Sequence, residues 1–134
     1  IVGEIVDNSY YLDMMHLVDD LNLNNTVDII LYNRTNLDIY YKNTKLFVLA
    51  SYFETFGQVL LDASRWDLPI IVTSCGTVLS NDILPNDYDT LAEEINNALV
   101  QPLKYRNYDF LRTNCNYYKI GNELKEFYIK ILCE

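Results

Sequence analysis

The chain has 134 residues, half of them hydrophobic, which is enough for one domain with a single core. No apolar run approaches the length of a membrane span, and no basic start with an apolar stretch and small-residue site marks a signal peptide. A formal charge of −9 argues against nucleic acid and anionic membrane surfaces as partners. Cys75, Cys115 and Cys133 are unclustered and in no metal-ligand spacing, which points to a reducing, cytoplasmic setting.

In chain order, Ile1 to Gly3 reads as the tail of a strand, as if the sequence were cut within one, and this predicts an N-terminally truncated fragment. Ser9 is a helix-cap candidate for Tyr10 to Leu21, where Tyr11, Leu12, Met15, Val18 and Leu21 recur at helical spacing. Val27 to Tyr32 is the next strand, and Thr35 or Asn36 caps a short helix over Leu37 to Asn43. Leu46 to Ala50 has the continuous apolar pattern of a strand buried on both faces of a parallel sheet. Gln58 to Asp67 follows as a helix with Val59, Leu60, Ala63 and Trp66 on one stripe, stopped by Leu68-Pro69 before a buried strand at Ile70 to Val72. Ile83 to Pro85 reads as a small edge strand, and Asp89 or Thr90 caps a helix to Val100 with Leu91, Ala92, Ile95 and Leu99 inward. Pro102 breaks it, and helices over Leu103 to Asn114 and Ile120 to Leu132 complete the chain. Strands alternating with helices predict an α/β fold with a Rossmann-like, doubly wound parallel sheet, the whole of 1–134 forming one such domain.

Chemistry concentrates around residues 51–76. In doubly wound sheets ligands sit beyond the carboxyl ends of the strands, where Glu54 and Cys75-Gly76 fall. The amides of Phe56, Gly57 and Gln58 open the helix with unpaired N–H groups and a positive dipole end, which suits phosphate. Gly57 lets a ligand approach the backbone closely. Glu54, just ahead of that end, is an acceptor for hydroxyl donors, and Asp62 lies on the face shared with Gln58 and Arg65. Two such carboxylates can bracket a sugar-diphosphate-ribose ligand. Each has a blander alternative: Glu54 as a solvated loop carboxylate, and Asp62 as a surface partner of Arg65. His16, the single histidine, lies mid-helix far from these residues and reads as structural, which disfavours a Ser-His-Asp or Cys-His hydrolase. Cys75 beside Gly76 has no base near it in sequence and reads as a small loop residue at the ligand rather than a nucleophile. Asp28 lies at the wrong end of its strand for a flavodoxin-like phospho-acceptor.

The run Ser51-Tyr52-Phe53-Glu54-Thr55-Phe56-Gly57-Gln58-Val59-Leu60-Leu61-Asp62-Ala63, followed by Leu68-Pro69-Ile70-Ile71 and Cys75-Gly76, resembles the family 4 (group 1) retaining nucleotide-sugar glycosyltransferases. Leu37, Tyr40 and Tyr41 match a helix pattern of the same family. The resemblance implies the C-terminal, donor-binding half of a GT-B fold that transfers a hexosyl group from a nucleoside-diphosphate sugar to an acceptor. It implies that Glu54 contacts the transferred sugar, that Asp62 holds the ribose, and that the amides of Phe56, Gly57 and Gln58 face the diphosphate. Cys75 and Gly76 would line the donor, and the Tyr32-Asn33 loop would lie near the nucleobase. No cofactor or metal is required by such enzymes. Acceptor binding and any peripheral membrane association would come from a missing N-terminal half, and an Arg and a Lys that help hold the phosphates from the strand and helix preceding Ile1, so the fragment alone would be inactive. The chain departs from the family pattern at Asp62, where glutamate is usual, at Ser80, where a glutamate is also usual, and in a short Thr77 to Pro85 loop. Those departures fit an alternative, a non-catalytic nucleotide-sugar-binding or scaffolding domain that has kept the fold. An epimerase or hydrolase on the same architecture is the rival enzyme reading.

Overall fold

The computed structural model describes residues 1–31, 37–76 and 83–132, without the side chains of Tyr108, Phe110 and Leu111. The chain divides into two compact units, Ile1–Asp38 and Ile39–Glu134.

In the first unit β1 (Val2–Gly3) and β2 (Ile30–Leu31) pair in parallel, with Val2 opposite Ile30 and Gly3 opposite Leu31. The Ile1 amine donates to the Asp28 carbonyl at 2.7 Å and extends the pairing by one step. β2 begins later than the Val27 start that its apolar run predicts, because the amides of Thr26 and Val27 turn back onto the Leu23 carbonyl instead of joining a ladder; Tyr32 lies outside the described residues. Between the strands runs α1 (Asn8–Asp20). Its cap is Asp7 rather than Ser9: the Asp7 carboxylate accepts from the Ser9 and Tyr10 amides at 2.8 and 3.2 Å and from the Ser9 hydroxyl at 2.6 Å. These bonds, the hydroxyl's first, hold the Asp7 carboxyl below its ordinary range. Tyr11, Met14, Met15 and Val18 are half-buried, whereas Leu12, Leu21 and His16 are exposed, so the histidine is a surface residue.

In the second unit α2 (Asp38–Asn43) buries Tyr41, whose ring lies 6.0 Å from that of Phe47. β3 (Phe47–Leu49) then pairs in parallel with β4 (Ile70–Val72), joined by α3 (Gln58–Arg65) in a β-α-β unit. The register sets Phe47 opposite Ile70, Val48 opposite Ile71 and Leu49 opposite Val72. β4 is buried throughout, as its apolar run predicts. β3 is not: Val48 remains 36% exposed, while α3 and α4 pack on β4. α3 buries Leu60, Ala63 and Ser64, while Trp66 sits past its end and is exposed. Ser64 tolerates burial because its hydroxyl donates to the Leu60 carbonyl at 2.7 Å.

Among the described residues Ile83 lies outside any strand, and its carbonyl accepts from the Ser74 amide at 2.7 Å. α4 (Tyr88–Val100) starts two to three residues earlier than expected, because Asp87, not Asp89 or Thr90, caps it by accepting from the Thr90 amide at 3.1 Å. Its inward stripe runs through Leu91, Ile95 and Ala98, with Ala92 and Leu99 exposed. Ala98 meets Ile71, Ile83 and Tyr105 in the main core cluster. The expected continuous helix from Leu103 breaks into a 3₁₀ turn (Pro102–Tyr105) and α5 (Tyr108–Asn114). Two interactions distant in sequence impose the break: Arg106 bridges to Pro69, and its guanidinium pairs with Asp67 at 3.0 Å. α6 (Tyr117–Leu132) closes the chain and buries no residue fully.

The architecture is therefore mixed α/β with short parallel strand pairs and helices, compatible with a Rossmann-like domain. Among the described residues no helix is long and apolar enough to cross a membrane.

Candidate functional site

The carboxyl ends of β3 and β4 are tied together by two cross-links. Thr73, fully buried just past β4, donates its backbone amide to Leu49 at 3.1 Å and its hydroxyl to the Ser51 carbonyl at 2.7 Å. Further along, three residues past Ser51 and two past Thr73, the Glu54 amide donates to the Cys75 carbonyl at 2.8 Å. The loop carrying the carboxylate is thus pinned to the turn carrying Cys75 and Gly76. Glu54 and Gly76 lie on the same sheet edge, as their positions after two parallel strands predict.

The side chain of Glu54 is also held. Ser51 donates its hydroxyl to Glu54 Oε1 at 3.0 Å, and both residues are half-buried. One carboxylate oxygen is oriented by the protein, which leaves the group an ordered acceptor. Gly76 has φ +93°, a conformation that side-chain-bearing residues rarely adopt. A Cβ there would stand 3.5 Å from the Glu54 carbonyl, an ordinary contact, so backbone conformation rather than space calls for glycine. Cys75 is buried with a free thiol and serves the site through its carbonyl.

Gly57 is buried in the left-handed region, φ 72° and ψ 61°, as the N-cap of α3, and no side chain caps the helix there. Its carbonyl accepts from the Leu60 amide at 2.8 Å. A left-handed cap without a hydroxyl or carboxylate leaves the first amides of α3 without the usual side-chain acceptor. Phe56 and Gln58 on either side are exposed. Asp62, one turn past Gln58, is half-buried, and it does not pair with Arg65; among the described residues the ion pair formed is Arg106 with Asp67. Tyr32, Asn33 and Ser80 lie outside the described residues.

Two contributors go beyond the residues singled out from sequence: Ser51, which orients Glu54, and Thr73, which joins the strand ends. A hydroxyl three residues before the carboxylate and another directly after a buried strand were the available signals. Among the described residues no cluster of three or more His, Cys, Asp or Glu side chains has metal-holding geometry.

A parallel β-α-β unit with a pinned carboxylate loop at its strand ends defines a mixed α/β protein. The family model for Glycosyl transferases group 1 matches residues 1–109, and the chain belongs to that family. The match takes in the whole span from Glu54 to Gly76. It makes glycosyl transfer with a nucleotide-sugar donor the family activity. No curated protein and no solved structure matches the chain in the corresponding comparisons.

Proposed function

We propose that this chain is the donor-binding half of a retaining, two-domain glycosyltransferase of GT-B architecture, its sheet doubly wound. It binds a nucleoside-diphosphate sugar at the carboxyl edge of β3 and β4, and an acceptor-binding half supplies the rest of the cleft. The observation that carries the reading is the Glu54 amide bonded to the Cys75 carbonyl, which fixes a Ser51-oriented carboxylate beside the Gly76 turn and ahead of the α3 start. In this reading Glu54 accepts from hydroxyls of the transferred sugar. The amides at Gly57 and Gln58 take the diphosphate in place of a side-chain cap, stabilising charge on the departing group without a required metal. Asp62 accepts from the ribose hydroxyls, Phe56 and the Cys75-Gly76 turn flank the donor, and Tyr32 and Asn33 lie toward the base.

Calorimetric titration of nucleoside-diphosphate sugars into the 134-residue chain tests this. Half a cleft is expected to bind at around millimolar, or about −4 kcal/mol, without catalysing transfer. Turnover by the chain alone would overturn the half-enzyme reading. Absence of binding at tens of millimolar would overturn the donor site. Donor binding without turnover in an enzyme that also carries the acceptor half would instead favour a non-catalytic binding domain.

A further inference from the structure

Trp66, the single tryptophan, lies just past α3 and is 40% exposed. It lines a groove of about 410 Å³ at the amino-terminal edge of β3 and β4, the edge opposite Glu54 and Gly76. Buried Leu68, Pro69 and Ala98 give the groove an apolar floor, and exposed Leu99 adds a second apolar wall. Lys42, Lys45 and Arg106 line it too, all exposed. The groove is built in advance. Phe47 donates its amide to the Pro69 carbonyl at 2.9 Å, and Arg106 bridges to Pro69 while pairing with Asp67. Between the two lysines, the Thr44 hydroxyl donates to the Tyr40 carbonyl at 2.7 Å and holds the turn. A second depression, lined by Arg65, Leu103 and Asp109, shares Asp67 and Arg106 with the first, so the surface is elongated rather than a single pit.

Charge selects the occupant. Lys42, Lys45, Arg65 and Arg106 line the two depressions against Asp67 and Asp109, on a chain of net charge −9. Of these four cations only Arg106 is in an ion pair among the described residues. A short segment lying in the groove meets the cations at contact, while the acidic remainder of the chain is screened beyond roughly 8 Å at physiological ionic strength. A long polyanion, nucleic acid or an anionic membrane surface, would extend across that remainder and be repelled. Tryptophan and arginine are the side chains from which interfaces draw most of their energy, and an apolar floor beside them suits an apolar side chain of the partner.

We propose that this groove docks a short acidic segment of a partner protein, an extended peptide whose aromatic or aliphatic side chain enters beside Trp66 while flanking carboxylates meet Lys42, Lys45 and Arg65. The site uses the sheet edge that the donor cleft does not, and the proposal does not rest on donor binding.

Trp66 is its own reporter, because no other tryptophan contributes to the emission. The probe is a capped hexapeptide of four glutamates around a central leucine and phenylalanine, titrated into the 134-residue chain. Trp66 emission should move to shorter wavelength and saturate with a Kd on the order of 0.1 mM. The same peptide with lysines in place of the glutamates should leave the emission unchanged. Lys42→Glu with Lys45→Glu should weaken binding roughly tenfold, and the milder Lys45→Gln about threefold, with helix content by circular dichroism unchanged in both. No emission change with the acidic peptide at about 5 mM, or an equal response to the lysine peptide, overturns the proposal. So does displacement of the peptide by a nucleoside-diphosphate sugar, which would put it in the donor cleft. Tighter binding of a single-stranded oligonucleotide or of phosphatidylglycerol vesicles would make the groove a polyanion surface and overturn the peptide assignment.

Discussion

Glu54 and Asp62 are both half-buried carboxylates within one loop-helix segment, yet their surroundings suit different roles. Glu54 is oriented by the Ser51 hydroxyl and anchored through its own amide, so its oxygens are held in place before any ligand arrives. A group preorganised beside the sugar, where positive charge develops, contributes most in the transition state. In an enzyme carrying both halves, Glu54→Gln should therefore lower kcat while barely changing donor binding. Asp62 would hold the ribose equally in ground and transition states. Asp62→Asn should raise the donor KM about tenfold, the loss of about 1.4 kcal/mol from a charge-assisted hydrogen bond, with kcat near the parent value. Steady-state kinetics on both variants checks the split, and a change confined to KM in both would refute the assignment. Glu54, Gly57 and Gly76 were legible in the sequence because strand ends and glycines have few structural uses. Ser51 and Thr73 were not, because a hydroxyl gains its role only from a partner more than twenty residues away or from a loop bend no pattern encodes.

The elements show the same division between local and distant causes. Helices α1, α3 and α4 follow from apolar periodicity, and the starts of α1 and α4 follow from the Asp7 and Asp87 carboxylates that accept from orphan amides. α1 and α3 end in the same way: Asn22 and Asp67 take positive φ, and the amides of Leu23 and Leu68 reach back to the carbonyls of Val18 and Ala63. The stop at Pro102 was legible, but the interruption between Tyr105 and Tyr108 was not, since Arg106 meets Pro69 and Asp67 from another part of the chain. Tyr105 is drawn into the core at the same place and donates its hydroxyl to Glu94 at 2.6 Å, which raises its pKa and explains a glutamate on the inner side of α4. The α4 cap makes a pH prediction. Asp87 has its pKa lowered, chiefly by its hydrogen bonds with Thr90, so its contribution to stability is present above the ordinary carboxylate pKa and is lost as pH falls through the depressed one. Asn is also a good cap but does not titrate. Acid unfolding followed by circular dichroism should thus be shallower below about pH 4 for Asp87→Asn than for the parent. Superimposable curves would mean that ionisation of Asp87 contributes nothing to stability.

At the scale of the whole molecule the difficulty is charge. In the proposed reading a chain of −9 binds a diphosphate, and two of its described arginines are poorly placed to help: Arg65 sits in the last turn of α3, at the opposite end from Gly57, and Arg106 is engaged by Asp67. The proposed solution is that backbone amides at the α3 start act at contact distance while the net charge acts from afar. Salt separates these two contributions. Raising ionic strength from about 0.01 M to about 0.15 M shortens the screening length from roughly 30 Å to roughly 8 Å, which suppresses long-range repulsion and leaves amide contacts nearly untouched. Donor affinity of the 134-residue chain should accordingly stay constant or improve by up to about threefold over that range. Side-chain cations clasping the phosphates would give the opposite sign, a steady loss of affinity with salt. Calorimetric titration at several salt concentrations reads the slope directly, and a roughly tenfold weakening would remove the α3 amides from the centre of the phosphate site.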